Sequence, residues 1–193
     1  MHAEFATIDT TVDLLRYVAE DVSLDFGRWG SRYARGPSLY FLVLSEVRFD
    51  SFVDGLGTNR WPVENARVLP EDFTAVVRVA SDVAFDCDGA VVVSADGTFQ
   101  ERMVRVRSTP ERRIPDVEYP DWMSAKHLSA FEASTREGVL AAVTLREENG
   151  RVTVFRGGSY ENHERDELGG RWRVDSELVV DAAPTSGGDR SRE

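Results

Sequence analysis

The sequence has one cysteine, one lysine and no long apolar run, and these shortages exclude several classes of protein. A single cysteine, Cys87, cannot close an internal disulfide, which excludes a small secreted scaffold held together by disulfides. The longest apolar run, Leu39–Leu44, is far shorter than the roughly 20 residues that a membrane-spanning helix requires. The N-terminal residues lack the basic start and apolar stretch of a signal peptide. We therefore expect a soluble, cytoplasmic domain with no membrane partner.

The chain is strongly acidic. Its 34 acidic residues against 23 basic ones give a formal net charge of −11, which disfavours nucleic acid as a partner. Lys126 is the only lysine, and the other 22 basic residues are arginine. An acidic, lysine-poor surface is typical of a protein from a halophilic host, although a GC-rich genome produces the same arginine bias.

The length of 193 residues suits one domain. No linker rich in proline, glycine and serine interrupts the chain before residues 182–193, which are small and polar and are expected to be disordered. We expect the domain to span residues 10–175, with an N-terminal extension over residues 1–9 and a flexible tail over residues 176–193.

Apolar periodicity and turn residues predict the secondary structure. Helical spacing indicates helices over residues 10–20, with Thr10 or Thr11 as N-cap, and over residues 70–84 and 124–137. Apolar runs predict strands over residues 38–49 and 139–145. Asp96-Gly97 predicts the tip of a hairpin over residues 90–106, and Asn149-Gly150 predicts the tip of a second hairpin, which turns the chain into residues 151–155. Alternating helices and strands with two hairpins indicate a single α/β domain, with a mixed β-sheet and flanking helices.

Asp88-Gly89-Ala90 forms the first segment with candidate chemistry. It precedes a predicted strand, and the glycine lets the backbone approach a ligand closely. The Asp88 carboxylate can ligate a metal ion or accept a proton from a hydroxyl. The alternative is an ordinary turn, since Asp-Gly pairs are common in turns.

Two further segments have the same ambiguity. Lys126, His127 and Ser129 lie at the predicted start of a helix, where free N–H groups and a cation favour phosphate binding, although they also suit an ordinary capped helix. Glu147 follows a strand and can serve as a second metal ligand, or simply as a solvated acid beside the Asn149-Gly150 turn.

The order of these segments resembles the diadenylate cyclase domain family, and most closely its haloarchaeal members. Asp88-Gly89-Ala90 matches the Asp-Gly-Ala that opens a strand in the family. The family's Gly-Thr/Ala-Arg-His-Arg at a helix start falls on residues 124–128, and its Ser-Glu-Glu-x-Gly at a strand end falls on residues 146–150. Three positions depart from these motifs. Lys126 replaces an arginine conservatively, Leu128 replaces the second arginine, and Arg146 replaces a serine.

The resemblance implies a nucleotidyltransferase with the diadenylate cyclase domain fold. Such an enzyme condenses two ATP molecules into cyclic di-AMP, with loss of two pyrophosphates, across a face-to-face homodimer. It implies that Asp88, Gly89 and Ala90 form the catalytic strand start and that Asp88 and Glu147 hold Mg²⁺ or Mn²⁺. The residues that it assigns to ATP binding are Lys126, His127, Ser129 and Arg146.

Two other functions are compatible with the sequence. Leu128 and Arg146 motivate a catalytically weak or inactive nucleotide-binding relative that acts as a sensor. Alternatively, the hairpins build an interaction module that binds no nucleotide. Three outcomes distinguish these functions. A cyclase forms cyclic di-AMP, an inactive relative binds ATP without forming it, and an interaction module binds no ATP.

Overall fold

The computed structural model describes residues 5–32, 34–46, 52–62, 73–86, 88–107 and 119–169. Within these ranges the chain forms three α-helices, seven strands and a short 3₁₀ helix over Arg165–Glu167. The helices are α1 (Phe5–Asp25), α2 (Phe73–Asp86) and α3 (Ala125–Ser134). The strands are β1 (Leu39–Leu44), β2 (Val53–Arg60), β3 (Val91–Ser94), β4 (Arg102–Val106), β5 (Val139–Leu145), β6 (Val152–Arg156) and β7 (Ser159–His163).

Five of these strands form a mixed sheet in the order β3-β1-β5-β6-β7. β1 runs parallel to β3, with Phe41 opposite Val91, and antiparallel to β5, with Phe41 opposite Val143. The strands from β5 to β7 are antiparallel neighbours. The predicted α/β class, with a mixed sheet and flanking helices, is confirmed.

Helices cover both faces of the sheet, so β1 is buried along its whole length. Side chains of a strand alternate between the two faces. Leu39, Phe41 and Val43 belong to the core formed with α1 and α2, whereas Tyr40 and Leu42 belong to the core formed with α3. Burial on both faces explains why this strand is a continuous apolar run in the sequence.

The helix boundaries differ from the prediction at both ends of α1, at the end of α2, which runs to Asp86 instead of residue 84, and at the end of α3. α1 begins at Phe5, so Thr10 and Thr11 lie inside the helix and neither is its N-cap, and the predicted domain start at residue 10 falls within α1. The apolar face continues to Val22, which carries the helix beyond the predicted end at residue 20. α3 starts at Ala125, one residue after the predicted start, with Ser124 as its N-cap, and it ends at Ser134, three residues before the predicted end.

The hairpin predicted over residues 90–106 is only partly present. Its turn forms as expected, because Gly97 has φ +80° and the Asp96 carboxylate accepts hydrogen bonds from the Ser94 hydroxyl at 2.7 Å and the Thr98 amide at 3.1 Å. Beyond the turn, only isolated bridges, such as Ala90 to Val104, join the two arms of the predicted hairpin. β4 forms its ladder with β2 instead.

The strands that the sequence did not predict are the polar ones. β2 is rich in glycine and polar residues, and β7 is mostly exposed at the outer edge of the sheet. The hairpin at Gly150 is confirmed, since β5 and β6 pair on either side of it. Cys87, the predicted helix start at residues 70–72, the predicted domain end at residue 175 and the predicted tail over residues 176–193 lie outside the described residues.

In the described ranges, no helix combines the length and the apolar character needed to cross a membrane.

Position 89 requires glycine for two reasons, its backbone conformation and its close neighbours. Alanine should therefore destabilise the protein more at Gly89 than at glycines that meet one of these conditions or neither. Its φ is +105°, and a Cβ would lie 2.2 Å from Leu56 Cδ1 and 2.9 Å from the Val104 carbonyl oxygen. Gly30 has φ +79° with open space around it, and Gly27 has open space without a left-handed φ. We expect Gly27→Ala to be nearly neutral, Gly30→Ala to lower the free energy of unfolding by about 1 kcal/mol, and Gly89→Ala to lower it by about 2 kcal/mol or more.

Urea unfolding of the three variants measures these differences. Equal losses for Gly89→Ala and Gly30→Ala would contradict the close approach of Gly89 to β4.

Candidate functional site

The strand directions bring the three candidate segments to one edge of the sheet. β1 and β3 are parallel and therefore begin at the same edge, which places Ser38 near Asp88. β5 is antiparallel to β1 and ends at that edge, which brings Arg146 and Glu147 to the same place. The N-terminus of α3 adds Lys126. Segments about 60 residues apart in sequence thus form one site.

A charged cavity of about 220 Å³, the polar chamber, lies at this edge. All three predicted segments contribute to it. Its lining residues are Arg35, Ser38, Asp88, Ser124, Ala125, Lys126, His127, Leu145, Arg146, Glu147 and Glu148.

A second cavity of about 250 Å³, the apolar chamber, adjoins the first and shares Asp88, Ala125 and Lys126 with it. Its other lining residues are Tyr40, Leu56, Gly89, Ala90, Val104, Arg105, Val106 and Ser129. The predicted phosphate-binding residue Ser129 therefore lines the apolar chamber and not the polar one. The two chambers together offer a charged half and a largely apolar half to one ligand.

Tyr40 adds a polar group to the apolar chamber that the sequence reasoning missed. Its hydroxyl is buried and makes no hydrogen bond with the described residues. Burial raises the pKa of this hydroxyl. The neighbouring Ser129 side chain lowers that pKa, but only in part. A buried hydroxyl without a partner is costly, so Tyr40 can readily hydrogen-bond a polar atom of a ligand.

Lys126 lies where the two chambers meet. Its ammonium group donates a hydrogen bond to the Ser38 hydroxyl. Burial lowers the pKa of Lys126, and the carboxylates of Glu147 and Asp88 oppose that shift. The only lysine of the chain is thus a partly desolvated cation between two acids, a position that suits binding of an anion.

His127 serves the helix start and does not present a charge. Its side chain is 1% exposed, and Nδ1 accepts a hydrogen bond from the Ser124 amide at 3.3 Å and lies 2.8 Å from the Ser124 hydroxyl. Burial, with a further contribution from Arg146, lowers the pKa of His127 to about 4. The imidazole is neutral at pH 7 and completes a reciprocal cap with Ser124.

The two acids after β5 are both engaged by arginines. Arg146 binds Glu148 Oε2 through Nε at 2.8 Å and donates from Nη1 to the Trp122 carbonyl at 2.7 Å. Arg35 Nε donates to Glu147 Oε2 at 2.8 Å, and Nη2 lies 2.8 Å from the same oxygen. Arg35 was missed in the sequence because it lies in the segment between α1 and β1, which carries none of the recognised motifs.

Two glycines and an indole hold the segment between α1 and β1 against the turn after β5. A Cβ on Gly36 would lie 2.3 Å from the Trp29 ring and 2.4 Å from the Glu147 carbonyl oxygen, and Gly150 packs against the same ring. Trp29 Nε1 donates to the Ser23 carbonyl at 2.8 Å. This packing places Arg35 beside Glu147.

Asp88 and Glu147 are the carboxylates that suit a divalent cation. Both line the polar chamber, while the described residues contain no group of three or more histidine, cysteine, aspartate or glutamate side chains arranged for a metal ion. Mg²⁺ is commonly held by one or two carboxylates together with substrate phosphates. The pair therefore fits a cation that arrives with a phosphorylated ligand better than a permanently bound one.

Comparisons with known proteins concern the fold alone. No family model matches the chain, and no curated protein sequence matches it. A crystal structure of a hypothetical membrane-spanning protein from Bacillus cereus is similar with a TM-score of 0.53 and 13% identity, over 79% of this chain. DacA from Staphylococcus aureus gives a TM-score of 0.46 and 10% identity, over 90% of this chain and 95% of that one. The chain spans 62% of the length of the Bacillus cereus structure.

The neutral, buried His127 predicts a specific dependence of stability on pH. Its pKa is about 4 in the folded protein and about 6.5 when unfolded, so the unfolded state binds the extra proton more tightly. The wild-type protein should therefore lose about 2 kcal/mol of stability from this residue between pH 7 and pH 5.

Urea unfolding at the two pH values, for the wild type and for His127→Gln, isolates this contribution. The variant should be less stable at pH 7 but should lose less on acidification. Equal losses in both proteins would contradict a buried neutral imidazole.

Proposed function

We propose that the chain is a diadenylate cyclase that condenses two ATP molecules into cyclic di-AMP and two pyrophosphates. The observation that carries the proposal is the convergence of three motifs, since Asp88, Lys126 and Glu147 line one chamber. Gly89 and Ala90 line the adjoining chamber. Residues that resemble the family's motifs in the sequence thus share one site in the fold.

The two chambers match the two halves of a nucleotide. The polar chamber suits the triphosphate, with Lys126 and the helix N-terminus facing the phosphates. The apolar chamber suits the ribose and base, and the Tyr40 and Ser129 hydroxyls supply hydrogen bonds there. Since Asp88 and Lys126 border both chambers, they lie where the ribose joins the phosphates.

In this mechanism the protein chiefly positions groups and balances charge. Asp88 orients the 3′-hydroxyl of the ATP in its own site and accepts its proton as that oxygen attacks the α-phosphate of the other ATP. Lys126 compensates charge on the phosphates. Asp88 and Glu147 would hold Mg²⁺ or Mn²⁺, which when bound neutralises further triphosphate charge.

The reaction also requires two copies of the chain. Each copy brings one such pair of chambers, whereas the product contains two nucleotides. A two-fold axis that brings two sites face to face supplies each 3′-hydroxyl with the α-phosphate of the other ATP. A face-to-face homodimer is therefore part of the proposal.

The ion pairs of the polar chamber favour a second candidate, a nucleotide-binding relative with little or no activity. Arg35 engages Glu147, and Arg146 engages Glu148, so both acids after β5 have partners within the protein. His127, neutral and buried, brings no positive charge to the triphosphate. ATP binding without cyclic di-AMP would identify this candidate.

The activity of Asp88→Asn tests the cyclase. Purified protein with ATP and Mg²⁺ or Mn²⁺ is assayed for cyclic di-AMP by mass spectrometry. Because asparagine keeps the size but cannot accept the proton, we expect the product rate to fall more than about tenfold, a barrier increase above about 1.4 kcal/mol. The melting temperature should barely change.

Asp96→Asn is the matched control, because Asp96 also precedes a glycine but lies at the other end of β3. It should retain wild-type activity. An Asp88→Asn variant that keeps more than about a tenth of the activity would rule out the role of Asp88.

Mixing wild-type protein with excess Asp88→Asn tests the face-to-face dimer. A mixed dimer keeps one intact Asp88 and so completes one of the two bond-forming steps. We therefore expect the linear intermediate pppApA to accumulate relative to cyclic di-AMP, measured by mass spectrometry. Mixing with excess Asp96→Asn should leave the product ratio unchanged. Cyclic product alone, in proportion to the wild-type chains, would mean that each copy acts independently.

A further inference from the structure

Arg35 and Glu147 bind each other at the mouth of the polar chamber. Arg35 Nε donates a hydrogen bond to Glu147 Oε2 at 2.8 Å, and the guanidinium nitrogen Nη2 lies 2.8 Å from the same oxygen. The Arg35 side chain is 82% exposed and that of Glu147 is 32% exposed. Exposed ion pairs of this kind contribute little to stability, so the pair exchanges easily for other partners.

The cations beside the pair are the groups that an anion would bind. Arg35 lies near the partly buried ammonium of Lys126, and in the absence of a ligand the carboxylates of Glu147, Asp88 and Glu148 balance these positive charges. A guanidinium binds a phosphate through the same forked N–H groups that it offers to a carboxylate. The Glu147 carboxylate therefore stands where a phosphate oxygen would bind.

The backbone on both sides of the pair is held in place. Gly36 packs directly against Trp29 and the Glu147 carbonyl oxygen, and Gly150 packs against the same indole. The Ser23 hydroxyl donates to the Gly150 carbonyl at 2.7 Å, which ties this turn to α1. If the ion pair opens, only side chains need to move, and Arg35 remains beside the chamber.

We propose that Arg35 is a phosphate-binding residue of the polar chamber, and that Glu147 occupies its guanidinium until a polyphosphate displaces the carboxylate. The inference rests on the proposed function only in taking the triphosphate of ATP as the natural ligand. Glu147 thus opposes polyphosphate binding in the absence of a divalent cation, and it does so through Arg35.

A double-mutant cycle in EDTA tests this coupling by calorimetric titration with ATP. The four proteins are the wild type, Arg35→Ala, Glu147→Gln and the double variant. Arg35→Ala should weaken ATP binding about fivefold or more, and Glu147→Gln should tighten it by a similar factor. The Glu147→Gln gain should fall to less than about twofold in the Arg35→Ala background, because no guanidinium is left to release.

Arg156→Ala is the matched control, since Arg156 pairs with Asp9 in another exposed ion pair away from the chamber. It removes the same charge and should leave ATP affinity within about twofold. Thermal unfolding of each variant checks that the fold is retained, which the exposure of Arg35 leads us to expect.

The same cycle with inorganic tripolyphosphate separates the inference from the proposed function. Coupling with both ligands supports the inference, whereas additive effects on ATP binding overturn it and leave nucleotide binding intact. A protein that binds no ATP, either with Mg²⁺ or without it, but shows the coupling with tripolyphosphate supports the role of Arg35. That result overturns the cyclase. Absence of binding to either ligand under both conditions overturns both proposals.

Discussion

β1 is hydrogen-bonded to a parallel strand on one side and an antiparallel strand on the other, and this pairing determines where the chemistry lies. Parallel β3 must begin at the edge where β1 begins, and antiparallel β5 must end there. Asp88 precedes β3 and Glu147 follows β5, so both reach one edge. Burial of β1 on both faces fixes the register, because a shift of one residue would exchange its two sets of core side chains.

The parts of the fold that could be predicted from the sequence are those with local physical signals. β5 is a continuous apolar run, and its predicted bounds agree with the structure. The Asp96-Gly97 and Asn149-Gly150 pairs form turns because their glycines adopt positive φ values. The predicted start of α3 agrees with the structure to within one residue, and Ser124 caps the helix there. These signals also placed the three candidate segments on the correct elements.

What the sequence did not predict depends on contacts between distant segments. β2 is rich in glycine and polar residues and becomes a strand by pairing with β4. β4 therefore pairs with β2 and not with β3, its partner in the expected hairpin. Arg35 lies in the site because the neighbouring Gly36 packs against Trp29 and the Glu147 backbone. No local sequence pattern predicts such packing. The neutral state of His127 likewise follows from burial, since the residue type alone suits a phosphate ligand equally well.

The outer strands of the sheet limit how copies of the chain can associate. β7, at one margin, carries Glu161 and His163 and is mostly exposed, while the segment at β3, at the other margin, is bridged to the chain that follows it at Phe99 and Val104. Charged or covered margins resist the strand addition that joins sheets into larger ones. Strand addition at these two margins of the five-stranded sheet is therefore disfavoured, and contacts made there would use charged side chains, which weaken as ionic strength rises.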